Sequence, residues 1–303
     1  MKDDYPRLGI SRICRLLGIT RQAYYQHFWY TDSEKIEEEL ILKQVHIIRK
    51  RHRCMGGRKL YELLQPFLHE HQIKIGRDAL FDLLSANKML IRRKRRRALT
   101  TNSFHWLRKY PNLIRGYHPS ARNQLWVSDI TYLRTKTGFV YISLITDAYS
   151  HKIVGYHVAP TLDAVETLEA LRMALRSIEH NTAVDLIHHS DRGIQYCSFE
   201  YVRLLQDYNI KISMTENGDP RENAIAERIN GILKEEYLQH GQLHHLDQVK
   251  ERLMEAVELY NNDRPHLSIG LLTPNSVHDT NLKTQNLWKN RKSETLTVNS
   301  FQD

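Results

Sequence analysis

At Gln124 the hydrophobic period of this chain changes, and the order of elements that follows admits few folds. Residues 125–133, 139–146 and 152–158 are short runs rich in Val, Ile and Tyr, divided by polar breaks at 135–138 and 147–151, and they read as a meander of three strands. Helical spacing returns over 162–180. A strand at 184–189, a helix at 198–208, a strand at 210–214 and a long helix at 223–238 follow. Such a chain makes an α/β layer, a mixed sheet with helices on its faces.

The order β-β-β-α-β-α-β-α is that of a ribonuclease H-like core. Ahead of it the pattern is all-α. Residues 9–27 read as a helix-turn-helix: Ile10, Ile13, Leu16 and Leu17 give the first helix an apolar face, Gly18 suits a left-handed turn, and Thr20 can cap the second helix. That second helix offers Arg21 and Gln22 to phosphates or base edges. From Ser33, a candidate cap, the pattern stays helical to about residue 97, broken at Gly56-Gly57. Residues 100–122, with Pro111, Gly116 and Pro119, have little periodicity. The expected divisions are a helix-turn-helix segment at 1–30, a helical domain with a basic end at 33–98, a linker at 99–122, a ribonuclease H-like core with a C-terminal helix at 123–280, and a polar tail at 281–303.

The net charge of +9 conceals an asymmetry: residues 1–122 hold 26 Lys+Arg against 11 Asp+Glu, whereas 123–303 hold 18 against 24. Six cations in a row, Arg92, Arg93, Lys94, Arg95, Arg96 and Arg97, close the basic region. A front half of this kind suits a polyanion, DNA or RNA. Three scattered cysteines, Cys14, Cys54 and Cys197, fit neither a disulfide framework nor a zinc knuckle. No run approaches the length of a membrane span, and the first residues lack a signal peptide's apolar core, so a cytoplasmic protein is expected.

Three carboxylates occupy positions that this fold brings together: Asp129 in the first strand, Asp191 just past the fourth, and Glu227 early in the long helix. At about 100° per residue, Asn223, Glu227, Asn230 and Lys234 share one stripe of that helix, opposite Ile225, Ile229 and Ile232. An ordinary amphipathic helix shows the same division, but not the neighbouring acids. Clustered carboxylates repel and raise one another's pKa, which divalent cations relieve. Oxygen donors without a thiolate favour Mg²⁺ or Mn²⁺ over Zn²⁺. Two such ions would support an in-line displacement at phosphorus. Along the fourth strand, alternation puts His189 on the side of Asp191 and His188 on the other, so the two imidazoles cannot clamp one ion. His189 is then either a group behind the ligand or touching DNA, or a packed imidazole.

The motifs resemble a known family. Trp126-Val127-Ser128-Asp129-Ile130-Thr131-Tyr132, His188-His189-Ser190-Asp191-Arg192-Gly193 with Gln195-Tyr196, and Asn223-Ala224-Ile225-Ala226-Glu227 with Lys234 stand in order, and 35 residues separate Asp191 from Glu227. Tyr260-Asn261, Arg264-Pro265-His266 and Thr273-Pro274 follow. The chain is similar over nearly its whole length to the DDE transposases of bacterial insertion sequences, specifically the OrfB portion of the insertion-sequence-three family, relatives of retroviral integrases. The resemblance implies DNA cleavage and strand transfer by a 3′-hydroxyl with no covalent enzyme intermediate, Asp129, Asp191 and Glu227 holding two Mg²⁺ or Mn²⁺ ions, a homo-oligomer on DNA, and an upstream OrfA-type partner. Glu222 stands where the family has Asp, and Met55-Gly56-Gly57-Arg58 where it has Tyr-Gly-x-Arg. The alternative is a DNA-binding regulator with an inactive ribonuclease H-like domain, which could lose the triad freely. A nuclease proper leaves the helix-turn-helix unexplained.

Overall fold

The computed structural model describes residues 9–91, 106–178, 185–216, 220–239, 243, 245–282 and 284. It divides into two compact units, residues 1–51 with 56–91, and residues 52–55 with 92–303.

The first unit is all-α: α1 (Ile10–Leu16), α2 (Arg21–Arg51), α3 (Gly57–Glu70) and α4 (Arg77–Ala86). Gly18 turns the chain at φ +67°, and Thr20 Oγ1 accepts from Ala23 N at 3.0 Å, capping α2. The cap at Ser33 and the break near residues 31–32 are not found, because α2 runs unbroken for 31 residues. No Gly or Pro interrupts positions 21–51, and Glu39 precedes Lys43 at a helix-supporting spacing. Ile41 and Val45 of α2 meet Leu60, Leu64 and Leu68 of α3 and Leu80 and Leu84 of α4 in one core. At Gly57 a Cβ would lie 2.7 Å from the Phe81 ring, and Met55 is fully buried.

The second unit is built on a sheet of order β3-β2-β1-β4-β5, with β1 Leu125–Thr135, β2 Gly138–Asp147, β3 Ile153–Ala159, β4 Ile187–Ser190 and β5 Lys211–Met214. The hairpin-linked β1, β2 and β3 are antiparallel, whereas β4 and β5, reached through helices, run parallel to β1, the ribonuclease H-like arrangement. Helices α5 (Ala164–Arg176) and α6 (Phe199–Asp207) cover one face over Trp126, Ile145, Tyr196 and Ile212. Gly155 makes this possible, since a Cβ there would lie 2.1 Å from the Ala170 carbonyl oxygen. The other face is covered by α7 (Ala224–Ile232) and α8 (Leu246–Asn262), over Leu133, Ile142 and Leu144, and α9 (Pro274–Thr280) follows.

Three expectations change. The single helix over 223–238 is a 3₁₀ turn at Pro220–Asn223, then α7, then a π-helical stretch at Leu233–Leu238. The wider turn keeps Leu233, Tyr237 and Leu238 in the core beside Ile229 and Ile232. Residues 106–122, read as a connection, pack on the sheet unit: Leu107 and Tyr110 lie on its core, Met214 N donates to Pro111 O (3.3 Å), and Leu113 N donates to Ser213 Oγ (2.9 Å). The fourth strand begins at Ile187, with 181–184 and most of the tail outside the described residues. No described helix is long and apolar enough to cross a membrane.

Candidate active site

The β1–β4 ladder stops at Val127 opposite His189, so β1 runs on with an open edge. There α7 is stitched to it. Asn223, just before the helix, donates Nδ2 to Ser128 O at 2.9 Å, and two turns later Asn230 donates Nδ2 to Asp129 Oδ2 at 2.7 Å. The other carboxylate oxygen, Oδ1, accepts from Ile130 N at 2.9 Å. Glu227 lies between the two asparagines on the same helix and is exposed. Asp191 follows β4 directly, in a bend where its Oδ1 accepts from Gly193 N at 2.9 Å. A Cβ at Gly193 would come to 3.0 Å from that same oxygen and 3.1 Å from Gln195 Oε1, so a side chain there would press on both groups. Gln195 Nε2 in turn donates to Leu162 O at 2.8 Å, tying the bend to the entry of α5.

Electrostatics couple the three acids. Asp129 is raised to about 7, first by burial and then by the nearby Asp191; the Asn230 bond opposes both, and Glu227 adds a smaller upward push. A carboxyl half-protonated near neutrality is one whose surroundings oppose its charge. Among the described residues no three His, Cys, Asp or Glu side chains are already drawn into a metal-holding group. The donor chemistry nevertheless fits a hard divalent cation, because every acid here offers oxygen and the acids repel one another. Asn223 Oδ1 and Asn230 Oδ1 are buried beside the site without a hydrogen-bond partner.

The remaining expected residues are distributed as follows. Lys234 Nζ sits 4.3 Å from the ring centroid of Tyr132, which is itself held edge-on by Phe139. His189 is fully buried and its Nδ1 meets Ser213 Oγ at 2.8 Å, a packed imidazole that joins β4 to β5. Alternation along β4 puts the two imidazoles on opposite sides, and Asp191 lies just past the end of the strand at Ser190. Burial lowers His189 to about 4, so the ring is neutral. His188 faces the opposite side, where its Nε2 meets Tyr201 OH at 3.0 Å. Arg21 and Gln22 are exposed in the first turn of α2, and residues 92–97 lie outside the described residues.

Several residues that support the site are not singled out by the sequence pattern. Ser128 hydrogen-bonds Tyr196 across the core. Asn261 bonds both Ile153 N and Ile153 O at 3.0 Å, closing the outer edge of β3 as a neighbouring strand would. Arg264, 1% exposed, grips Glu236 through Nε (2.8 Å) and a terminal nitrogen (2.6 Å), and so holds the π-helical stretch. For Ser128 and Tyr196 the sequence signal was their place in the first two motifs, and for Asn261 and Arg264 it was the block Tyr260-Asn261 and Arg264-Pro265-His266.

The integrase core domain family matches residues 119–220, and a second integrase core domain family matches residues 208–274. An uncharacterized 31 kDa protein of insertion element IS600 from Shigella sonnei is 36% identical over 267 residues, 86% of this chain and 96% of that protein. The transposase InsF of insertion sequence IS3A from Escherichia coli strain K12 is 29% identical over 289 residues, 90% of this chain and 95% of its own length. Among solved structures, the HTLV-2 integrase catalytic core domain in complex with magnesium is 20% identical, covering 52% of this chain and 97% of that one with a TM-score of 0.42.

Proposed function

We propose, for a chain that belongs to the DDE transposases of the insertion-sequence-three family and is thereby a polynucleotidyl transferase, that it cleaves and joins DNA by in-line transesterification with Asp129, Asp191 and Glu227 as its acting carboxylates. In each step an oxygen, of water in cleavage or of a 3′-hydroxyl in strand transfer, forms a new P–O bond as the opposite P–O bond breaks. The departing oxygen takes a proton, and no enzyme residue becomes attached. The observation that carries this reading is Asp129, whose proton affinity is raised by burial and by two further acids that the fold brings within electrostatic reach.

The three acids would hold two Mg²⁺ or Mn²⁺ ions, which when bound activate the attacking oxygen and stabilise the leaving one. Asn230 fixes the plane of the Asp129 carboxylate, and Asn223 anchors the helix that carries Glu227. Lys234, braced on Tyr132, presents its ammonium to a DNA phosphate. Arg21, Gln22 and the cations at 92–97 hold the DNA backbone, supported by the excess of 26 Lys+Arg over 11 Asp+Glu in residues 1–122. Assembly of several copies on DNA, and an upstream OrfA-type partner, belong to the same proposal. The test is the purified chain with Mg²⁺ and labelled DNA ends taken from the sequence flanking its gene. Joining by the wild type, lost in Asp129→Asn, Asp191→Asn and Glu227→Gln while DNA binding survives, is the expected result. Full joining by any one variant removes that acid from the triad, and binding without joining by the wild type returns the chain to the regulator reading.

A further inference from the structure

Ser128 is the point at which the three motifs meet. It stands in the first, one residue before Asp129. Its carbonyl accepts from Asn223 Nδ2 of the third at 2.9 Å, and its hydroxyl hydrogen-bonds the Tyr196 hydroxyl of the second at 3.0 Å. The same hydroxyl also reaches Leu144 O on β2 at 3.1 Å. Ser128 and Tyr196 are 0% and 2% exposed. The tyrosine ring cannot drift, since it packs edge-on to Tyr201 with centroids 5.4 Å apart, and Tyr201 is held by His188.

Packing alone does not call for these hydroxyls. The cluster around Tyr196 is built from Trp126, Leu168, Leu171 and Leu205, and an Ala and Phe pair would fill an apolar core of this kind at little net loss of stability. What the pair adds is direction. The β1–β4 ladder ends at Val127 opposite His189, before either Asp129 or Asp191. Past that end, the Ser128–Tyr196 bond ties the strand carrying Asp129 to the bend carrying Asp191. We infer that Ser128 and Tyr196 are positioning residues, whose hydroxyl–hydroxyl bond sets the separation of Asp129 and Asp191 and hence how readily the site takes up its cation. The inference rests on the carboxylate reading above.

The test compares Tyr196→Phe, Ser128→Ala and the double variant in the full chain. Tyr196→Phe keeps the ring and carries the test if Ser128→Ala does not fold. Strand-transfer kcat should fall about ten-fold with KM for DNA unchanged. The Mg²⁺ concentration giving half-maximal thermal stabilisation, a readout independent of activity, should rise by a similar factor. The double variant should be no worse than the poorer single one, because all three remove the same bond. Folded variants with wild-type kcat and Mg²⁺ midpoint, or losses that add in the double variant, overturn the inference. Asp129→Asn run alongside separates the two levels: its full activity would sink the carboxylate reading itself.

Discussion

Asp129→Asn should abolish joining and, in metal-free protein above neutral pH, stabilise the fold. The wild-type carboxyl is raised from 3.8 to about 7, chiefly by burial and by Asp191. Folding therefore favours its protonated form. Its contribution is undiminished below the unfolded value and is lost as pH rises through the folded one. A shift of roughly three units at about 1.4 kcal/mol each gives at most about 4 kcal/mol at pH 8, reduced because the side chain is partly exposed and water screens it. Asparagine removes that charge at almost the same volume. Its new amide donor also has an acceptor waiting, since Asn230 Oδ1 lacks a partner and a flip of the Asn230 amide presents it. Thermal melts with EDTA at pH 8 and pH 4.5 should show the variant melting on the order of 10 °C higher at the former and close to wild type at the latter. Adding Mg²⁺ at pH 8 should close the gap by raising only the wild type. A variant no more stable than wild type at pH 8, or a gap indifferent to pH, would refute the electrostatic account.

Gly155→Ala should disrupt the seating of α5 on β3, because the new methyl meets the Ala170 carbonyl oxygen at 2.1 Å; a loss of about 3 kcal/mol or more in chemical denaturation is expected. Glu236→Gln leaves the buried Arg264 guanidinium without its counter-charge and should cost about 3 kcal/mol by the same assay. His188, lowered to about 3 chiefly by burial, folds neutral, so the stability it carries is complete above pH 6.5 and lost on acidification. Between pH 7 and pH 5 that is about 2 kcal/mol, which His188→Gln should remove from the wild-type pH slope. Neutralising Arg92, Arg93, Lys94, Arg95, Arg96 and Arg97 should weaken DNA binding and flatten its dependence on salt, by about 0.9 in the log–log slope for each phosphate that the chain ceases to neutralise; an unchanged slope makes the run a solvated linker.

The sheet was legible because it is a matter of period. Val127, Asp129 and Leu133 alternate with Trp126, Ser128 and Ile130, and each set meets a different helical layer, as alternation in a strand requires. The approach of Asp129, Asp191 and Glu227 was legible once the first and fourth strands were taken as neighbours, which the parallel pairing of β1 with β4 provides. Features set by competition between local signals were not. Ser33 carries a cap signal, yet a cap acts only where the helix has reason to begin, and neither Gly nor Pro interrupts positions 21–51. The π-helical stretch follows from where Leu233, Tyr237 and Leu238 must bury, and no local propensity announces that.

The least legible residues were those whose role lies in a partner far along the chain. Ser128 and Tyr196 stand inside the first two motifs, but nothing in either motif says that the two side chains meet. Only the sheet order brings them to 3.0 Å. The Tyr260–His266 block behaves in the same way: Asn261 gains meaning from the unpaired edge of β3, and Arg264 from Glu236, 28 residues earlier. These bonds share a physical logic. Each falls where backbone pairing gives out: past the end of the β1–β4 ladder, along the outer edge of β3, or at the change from α- to π-helical turn. Side chains there take over the task of fixing one segment to the next. An active site at the end of a strand ladder needs such substitutes more than a site within one, which is why the polar residues around Asp129 are as specific to this fold as the acids themselves.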